Sequence, residues 1–554
     1  MRILRGPVLS SILVVSATAA LATALISRPT PEAGASQPPR NVPVVLLDGD
    51  LSDWDGVPDL LVDARDAAPA SPVDVLSLRA LDDPDWLYLL LALGGEVNLQ
   101  AMRGTLHLVV DTDGDATTGG TALGMTGADM VLDLSPRGEG DGAQPYGAGF
   151  AVRGVVSAGP GTPRPAYDVG AAGLPTWAAS RFEIRLSRRG ADDGFGRLGD
   201  RVRLRLVAVS PEGHGDETVA ATYAFVTPVG SAPTEADLAP LLTKAPGAVR
   251  VAQWNVSEGS FRNPERHARV LAAVRPDVVL LDEVYEEISD EALEAFFAHP
   301  DLAALGTWRW AYSGAGGRQK TVVAARDRNV RQEPSMHRVE YHEADLAALR
   351  RRIPDAAHRM VDLEARVHMS ATGVWVDVDG TEVLFVPLDL QSAGYLGSPQ
   401  DLLREVQAET LRRHVREALA SPQALTGHPA TQQASPGALA PVVVGGDFNP
   451  VGSRAPVDIL ASGLDTDGSD LALAAPRRLG EASLFTWTDP GHGPFAPGRL
   501  DLTLYADAAL ETTGGFVFNT GDLSDAQLAR LGLDRHLSAT TSDHLVVVTD
   551  LRLR

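Results

Sequence analysis

Apolar residues follow two different periodicities in two stretches of this chain, and that change constrains its architecture more than any other feature. From about Val42 to Val226 they fall in short runs bounded by Gly, Asp, Pro and Ser, among them DWLYLLLAL, TLHLVVDTDGD, RFEIRLS and RVRLRLVAVS. Phe182, Ile184 and Leu186 alternate strictly with polar residues, as do Val202, Leu204 and Leu206. Residues 41–228 are therefore predicted to form an antiparallel β-sandwich, one face of each strand on a core and the other toward water. Further on, strand-like VRVAQWNV and PDVVLLDEV alternate with helix-like PERHARVLAAVR and DEALEAFFAHPDLAAL. A longer helix carries Leu403, Val406, Leu411, Val415 and Leu419 near one stripe. That alternation predicts an α/β domain over residues 248–554.

Residues 229–247, with Pro and Gly at both ends, read as the linker between the two. At the N-terminus Arg2 and Arg5 precede an apolar run from Val8 to Ile26, the order of an export signal, with Ala33-Gly34-Ala35 as a cleavage site. The run is also close to the ~20 residues that span a bilayer, so an uncleaved anchor is the alternative. Residues 27–40, rich in Pro, Ser and Ala, form a tether, which makes 1–40 a signal or anchor plus tether. The expected location is extracytoplasmic, secreted or membrane-anchored, with any membrane contact made through this segment alone.

A formal charge of -24 excludes a general nucleic-acid coat, because backbone binding relies on Lys and Arg neutralising phosphates. The absence of cysteine excludes disulfides, thiolate metal sites and a Cys nucleophile.

In the second stretch, polar residues stand where apolar strands end: Asn255 after VRVAQW, Glu283 after VVLLD, Asp447 and Asn449 after VVVGG, Asp501 in GRLDLTLY, and Asp543 with His544 before LVVVTDL. Each alone is an ordinary turn or cap residue. Asp447 and Asn449 lie two apart on an extended segment, which puts both side chains on one face.

The ordered set WN, LxE, GDFN, RxD and SDH resembles the endonuclease/exonuclease/phosphatase superfamily over about 300 residues. The resemblance implies a four-layer α/β/β/α sandwich of the DNase I-like kind and a metal-dependent phosphoesterase. It makes Glu283 the primary metal ligand, with Asn255 and Asp543 completing or supporting the shell of Mg²⁺, Mn²⁺ or Ca²⁺, hard cations that favour oxygen donors. Asp447 would orient or deprotonate the attacking water and Asn449 would donate to the phosphate. His544 would exchange a proton or hold a phosphoryl oxygen as imidazolium, with Asp501 fixing its tautomer.

Two positions depart from that pattern. Asp282 stands where the family often has Gln before the metal-binding Glu, and Asp389 in PLDLQS stands where many members have a second His. Asp389 qualifies as a general acid only if burial or a neighbouring carboxylate raises its pKa. The Gly-rich loop Gly314–Lys320 would bring Arg318 and Lys320 to a substrate phosphate, or serve as a turn.

The first stretch has its own motifs: Leu47–Trp54 (LDGDLSDW), Asp85–Tyr88 (DWLY), and Asp111, Asp113 and Asp115 around Gly114. It resembles carbohydrate-binding-module-9-like and DOMON-like sandwiches. That implies binding or spacing, a glycan partner and a calcium site at Asp111, Asp113 and Asp115, with an acidic turn as the alternative reading of the three. Trp54 and Trp86 would stack on sugar rings or complete a core.

The expected function is an exported hydrolase of phosphodiesters or phosphomonoesters, whether nuclease-, sphingomyelinase- or phosphatase-like, with a nucleic acid, a phospholipid head group or a small phosphate ester as the open substrate classes. The competing expectation is a non-catalytic surface glycan-binding protein with a degenerate phosphoesterase fold.

Overall fold

The computed structural model describes residues 45–67, 71–138, 146–156, 159–213, 215–230, 235–257, 264–285, 288–420, 439–489 and 491–554. The export signal and tether predicted for 1–40 lie outside the described residues. Among the described residues no helix is long and apolar enough to cross a membrane.

In the first stretch two antiparallel sheets share one core. A five-stranded sheet runs Asp59–Val62, Val75–Asp82, Trp86–Val97, Ala179–Ser187, Ala172–Leu174. An eight-stranded sheet is centred on Met130–Leu134, Thr105–Asp111 and Arg201–Val209. Leu89, Leu91, Phe182, Ile184 and Leu186 from the first meet Leu106, Leu108, Leu132, Val202 and Leu204 from the second. The alternating pattern thus chose the inner face correctly.

It misjudged the outer face of the strand Ala179–Ser187, which was expected to meet water. Glu183 and Arg185 are both buried. Glu183 accepts from Trp54 Nε1 at 2.9 Å and from the Gly49 amide at 2.8 Å, and burial pushes its pKa up to about 7. Arg185 reaches Glu481, far along the chain, at 2.9 Å. The face is polar because its partners are covering protein rather than solvent, a distinction that alternation cannot make.

In the second stretch two seven-stranded sheets face each other. One runs Trp308–Tyr312, Gln319–Arg326, Val278–Tyr285, Val249–Asn255, Val546–Leu553, Leu510–Phe518, Arg477–Arg478. The other follows the path Val330–Gln332, Val374–Val378, Thr381–Asp389, Val442–Asp447, Asp501–Tyr505, Ala472–Leu473, with Ser370–Ala371 paired to Thr381–Asp389. Val251, Val278, Leu280 and Val323 interleave with Val376, Val383, Phe385 and Val443 between them. The helix Pro264–Val274 packs outside the first sheet and Pro399–Leu419 outside the second. Helix, sheet, sheet and helix make four layers. Between Arg326 and Ser370 in sequence lie the strand Val330–Gln332 and the helices Glu343–Arg352 and His358–Val367.

The connector is not free. Leu238 and Leu241 sit in the core outside the first sheet, and Arg250, itself buried, donates to the carbonyls of Pro240 and Leu241 while gripping Asp550 with two bonds of 2.8 Å.

Arg185, Glu481, Arg478 and Asp522 form a buried charge network that ties the two stretches together. The two guanidinium groups hold the Glu481 carboxyl down to about 2 against the desolvation that opposes them. A carboxylate depressed on folding stabilises the fold above its unfolded pKa of about 4.3 and loses that contribution as pH falls toward 2. Glu481→Gln should therefore cost on the order of 1–3 kcal/mol near pH 6. The gap to wild type should close between about pH 4.3 and 2. Urea midpoints across that window test it, and two parallel pH curves would refute it.

Candidate active site

The strand-end residues singled out from the sequence lie at one common end of the two facing sheets, and Lys320, paired with Val284, starts its strand at that same end. In the second sheet Asp389 is in register with Asp447, and Asp447 with Asp501, so three neighbouring strands present three carboxylates at one level. In the first sheet Asn255 is in register with Asp282.

Glu283 reaches the cleft through a local irregularity. Its φ is +52° and the pairing with Gln319–Arg326 shifts between Leu281 and Val284, a bulge that turns Glu283 outward while Asp282 goes inward. Asp282 is fully buried, and neither of its oxygens has a hydrogen-bond partner. Burial, reinforced by Asp389, Asp501 and Asp447, pushes its pKa well above the usual carboxylate range.

Asn255 donates from Nδ2 to Glu283 Oε1 at 3.1 Å and to Asp447 Oδ2 at 3.4 Å, while its Oδ1 takes the Ser257 amide at 3.0 Å. So oriented, the amide braces two carboxylates. Asn449 has φ +45°, so it meets Asp447 through a turn and not through the extended alternation expected. Its Nδ2 donates to Asp447 Oδ2 and to Leu390 O, both at 2.9 Å. With both amide hydrogens engaged, Asn449 fixes Asp447 and leaves no donor for a phosphate.

His544 is buried at the start of the last strand. Its Nδ1 donates to Asp501 Oδ2 at 2.9 Å, and its Nε2 stands 3.7 Å from Asp447 Oδ2. Burial favours neutral imidazole, but Asp501 and Asp447 outweigh it and raise the pKa well above the ordinary histidine value. Ser542 Oγ accepts the His544 amide and donates to Asn255 O, which locks the SDH turn onto the WN strand end. Burial pushes Asp447 up to about 7, with His544 pulling the other way. Asp389 is raised well above the usual range by burial, then by Asp447 and Glu283, which meets the condition set for a general acid.

Arg318 and Lys320 are not among the residues lining the cleft: Arg318 lies over the Tyr285 ring and Lys320 donates to Ala315 O. Asp543 does line it, and accepts from Trp487 Nε1 at 2.9 Å. Trp487 escaped notice because it sits in an aperiodic loop between Leu479 and Asp501.

Oxygen donors dominate this cluster, and burial, with the neighbouring carboxylates adding to it, pushes Asp282, Asp389 and Asp447 toward their neutral forms. A hard divalent cation fits such a set, because it offsets the surplus negative charge. The proposed calcium triad changes membership. Asp111, Asp113 and Asp129 converge within 4.8 Å, whereas Asp115 turns to the Thr117 amide and hydroxyl. Of the aromatics offered to sugars, Trp54 is 1% exposed and Trp86 is covered by the Arg185 guanidinium at 4.1 Å.

A family model described as the Endonuclease/Exonuclease/phosphatase family matches residues 252–544. Curated protein sequences give no match. Among solved structures, truncated Caenorhabditis elegans TDP2 is 16% identical, covering 55% of this chain and 98% of that one at a TM-score of 0.32. The human Nocturnin catalytic domain is also 16% identical, covering 56% and 97% at 0.34. ANGEL2, described as a 2',3'-cyclic phosphatase, is 14% identical, covering 55% and 96% at 0.36.

Proposed function

The chain belongs to the Endonuclease/Exonuclease/phosphatase family, and from that premise we propose that it is an exported, divalent-metal-dependent hydrolase of phosphodiester or phosphomonoester bonds. The observation that carries this reading is the convergence of Glu283, Asp447 and the Asp501–His544 pair at one end of two sheets. Glu283 would hold the ion, with Asn255 bracing the carboxylate and Asp543 close by. Mg²⁺, Mn²⁺ or Ca²⁺ bound there would supply charge neutralisation at the phosphoryl group.

The chain's own side chains do the rest. Asp447, held by both Asn449 and Asn255, takes a proton from the attacking water. His544, kept as imidazolium by Asp501, donates from Nε2 to a phosphoryl oxygen and stabilises the charge that grows there. Asp389, in register with Asp447 on the neighbouring strand, gives a proton to the departing oxygen.

Stripping divalent ions with EDTA should abolish hydrolysis of bis-p-nitrophenyl phosphate, and Mg²⁺ or Mn²⁺ should restore it. A rate indifferent to EDTA rejects the metal-dependent reading.

The competing reading of a non-catalytic glycan binder rests on the departures at Asp282 and Asp389, and it gains no support from Trp54, which is 1% exposed, or from Trp86, whose ring lies under the Arg185 guanidinium. The two-sheet stretch remains proposed as a sandwich similar to carbohydrate-binding modules, on its sequence motifs, and export rests on residues 1–40.

A further inference from the structure

The catalytic cleft does not end at the catalytic residues. It opens into a cavity of about 1020 Å³ whose lining includes Glu283, Asp447 and His544 on one side and Asn98, Gln100 and Tyr146 of the N-terminal two-sheet stretch on the other. The contact is fixed. Asn98 Nδ2 donates to Val451 O at 2.7 Å and its Oδ1 accepts the Leu396 amide at 2.6 Å. Gln100 Oε1 accepts the Ala496 amide at 2.7 Å. The Phe150 amide donates to Pro494 O at 2.8 Å, and a Cβ at the preceding Gly149 would fall 1.9 Å from that oxygen. The backbones meet so closely that only glycine fits.

Two properties of the wall restrict what it can hold. Tyr146, from the two-sheet stretch, stacks on Tyr395, from the phosphoesterase part, with ring centroids 3.7 Å apart, and Phe495 and Trp487 also line the cavity. Among the described lining residues there is neither lysine nor arginine. A surface that follows a nucleic-acid backbone needs such cations at successive phosphates, whereas aromatic faces suit one flat, uncharged group.

We propose that the N-terminal two-sheet stretch is a working wall of the catalytic cavity, on which Tyr146, backed by Tyr395, holds the uncharged organic group of a small phosphate ester. Tyr146 is thereby a specificity residue supplied from outside the matched family region, and duplex nucleic acid is a poor substrate. The inference rests on the phosphoesterase reading for its reaction but not for its binding surface.

The test uses the full chain and compares bis-p-nitrophenyl phosphate with methyl p-nitrophenyl phosphate, which differ only in whether the flanking group is aryl or methyl. Tyr146→Ala should cut the preference for the bis-aryl ester about tenfold, through KM and not kcat, while Tyr146→Phe keeps it. Duplex DNA should be cleaved with lower kcat/KM than the bis-aryl ester. A preference unchanged in both Tyr146→Ala and Tyr395→Ala, or duplex DNA as the better substrate, would overturn the proposal. Calorimetric binding of bis-p-nitrophenyl phosphate in EDTA reads the wall without turnover. Absence of hydrolysis in every version sinks the phosphoesterase reading, but a Kd weakened about tenfold by Tyr146→Ala still supports the wall and an unchanged Kd rejects it.

Discussion

Replacing His544 with alanine is expected to lower kcat on bis-p-nitrophenyl phosphate by roughly 10²- to 10⁴-fold, the span over which a positioned proton donor or charge stabiliser contributes. The imidazole is buried, tied to Asp501 at 2.9 Å, and aimed at the space beside Asp447. Nothing else at the site combines a positive charge with that position, because the cavity lining lacks lysine and arginine among its described residues. His544→Gln, which keeps a polar side chain of similar reach but no charge, should lose nearly as much. Asp501→Asn should fall between, since an amide can still orient the ring but no longer favours the imidazolium. Activity of His544→Ala within threefold of wild type, with the fold intact by circular dichroism, removes His544 from the mechanism.

Glu283→Ala is expected to cost on the order of 10³-fold or more in metal-dependent turnover, since the charge stabilisation lost with a weakly held cation amounts to several kcal/mol. Raising the Mg²⁺ concentration should recover part of the rate, because the other oxygen donors remain. The same substitution should leave the metal-free fold as stable as wild type or more so. Glu283 adds to the repulsion that pushes Asp389 and Asp447 up, so deleting it relieves a like-charge cluster. Loss of turnover with an unchanged or raised unfolding midpoint in EDTA separates a lost ligand from a broken fold. Unaltered Mg²⁺ dependence in Glu283→Ala would mean that the ion is held elsewhere.

Much of this site was legible because of where it lies. Strands carrying apolar residues on both faces must end somewhere, and polar residues placed at those ends have only the rim to occupy. Strand ends drew attention to Asn255, Glu283, Asp447, Asp501 and His544, and it was their order, which resembles the family's motifs, that selected them. What could not be read was aim. The bulge that turns Glu283 outward and buries Asp282 depends on a left-handed φ and a register shift, neither of which leaves a mark in residue type. Asn449 was assigned to the phosphate, yet its amide hydrogens go to Asp447 and Leu390.

The sequence alone determined the two textures, because periodicity reports which side of an element meets a core, while the four-layer expectation came with the family resemblance of the ordered motifs. Tertiary structure alone decided that Glu183 and Arg185 on the outer face of Ala179–Ser187 are covered, that Leu238 and Leu241 of the connector pack on the second core, and that Tyr146 and Gln100 face the same cavity as His544. Those facts depend on contacts between residues hundreds of positions apart. Local pattern carries a residue's preference for burial, but not the identity of the surface that buries it.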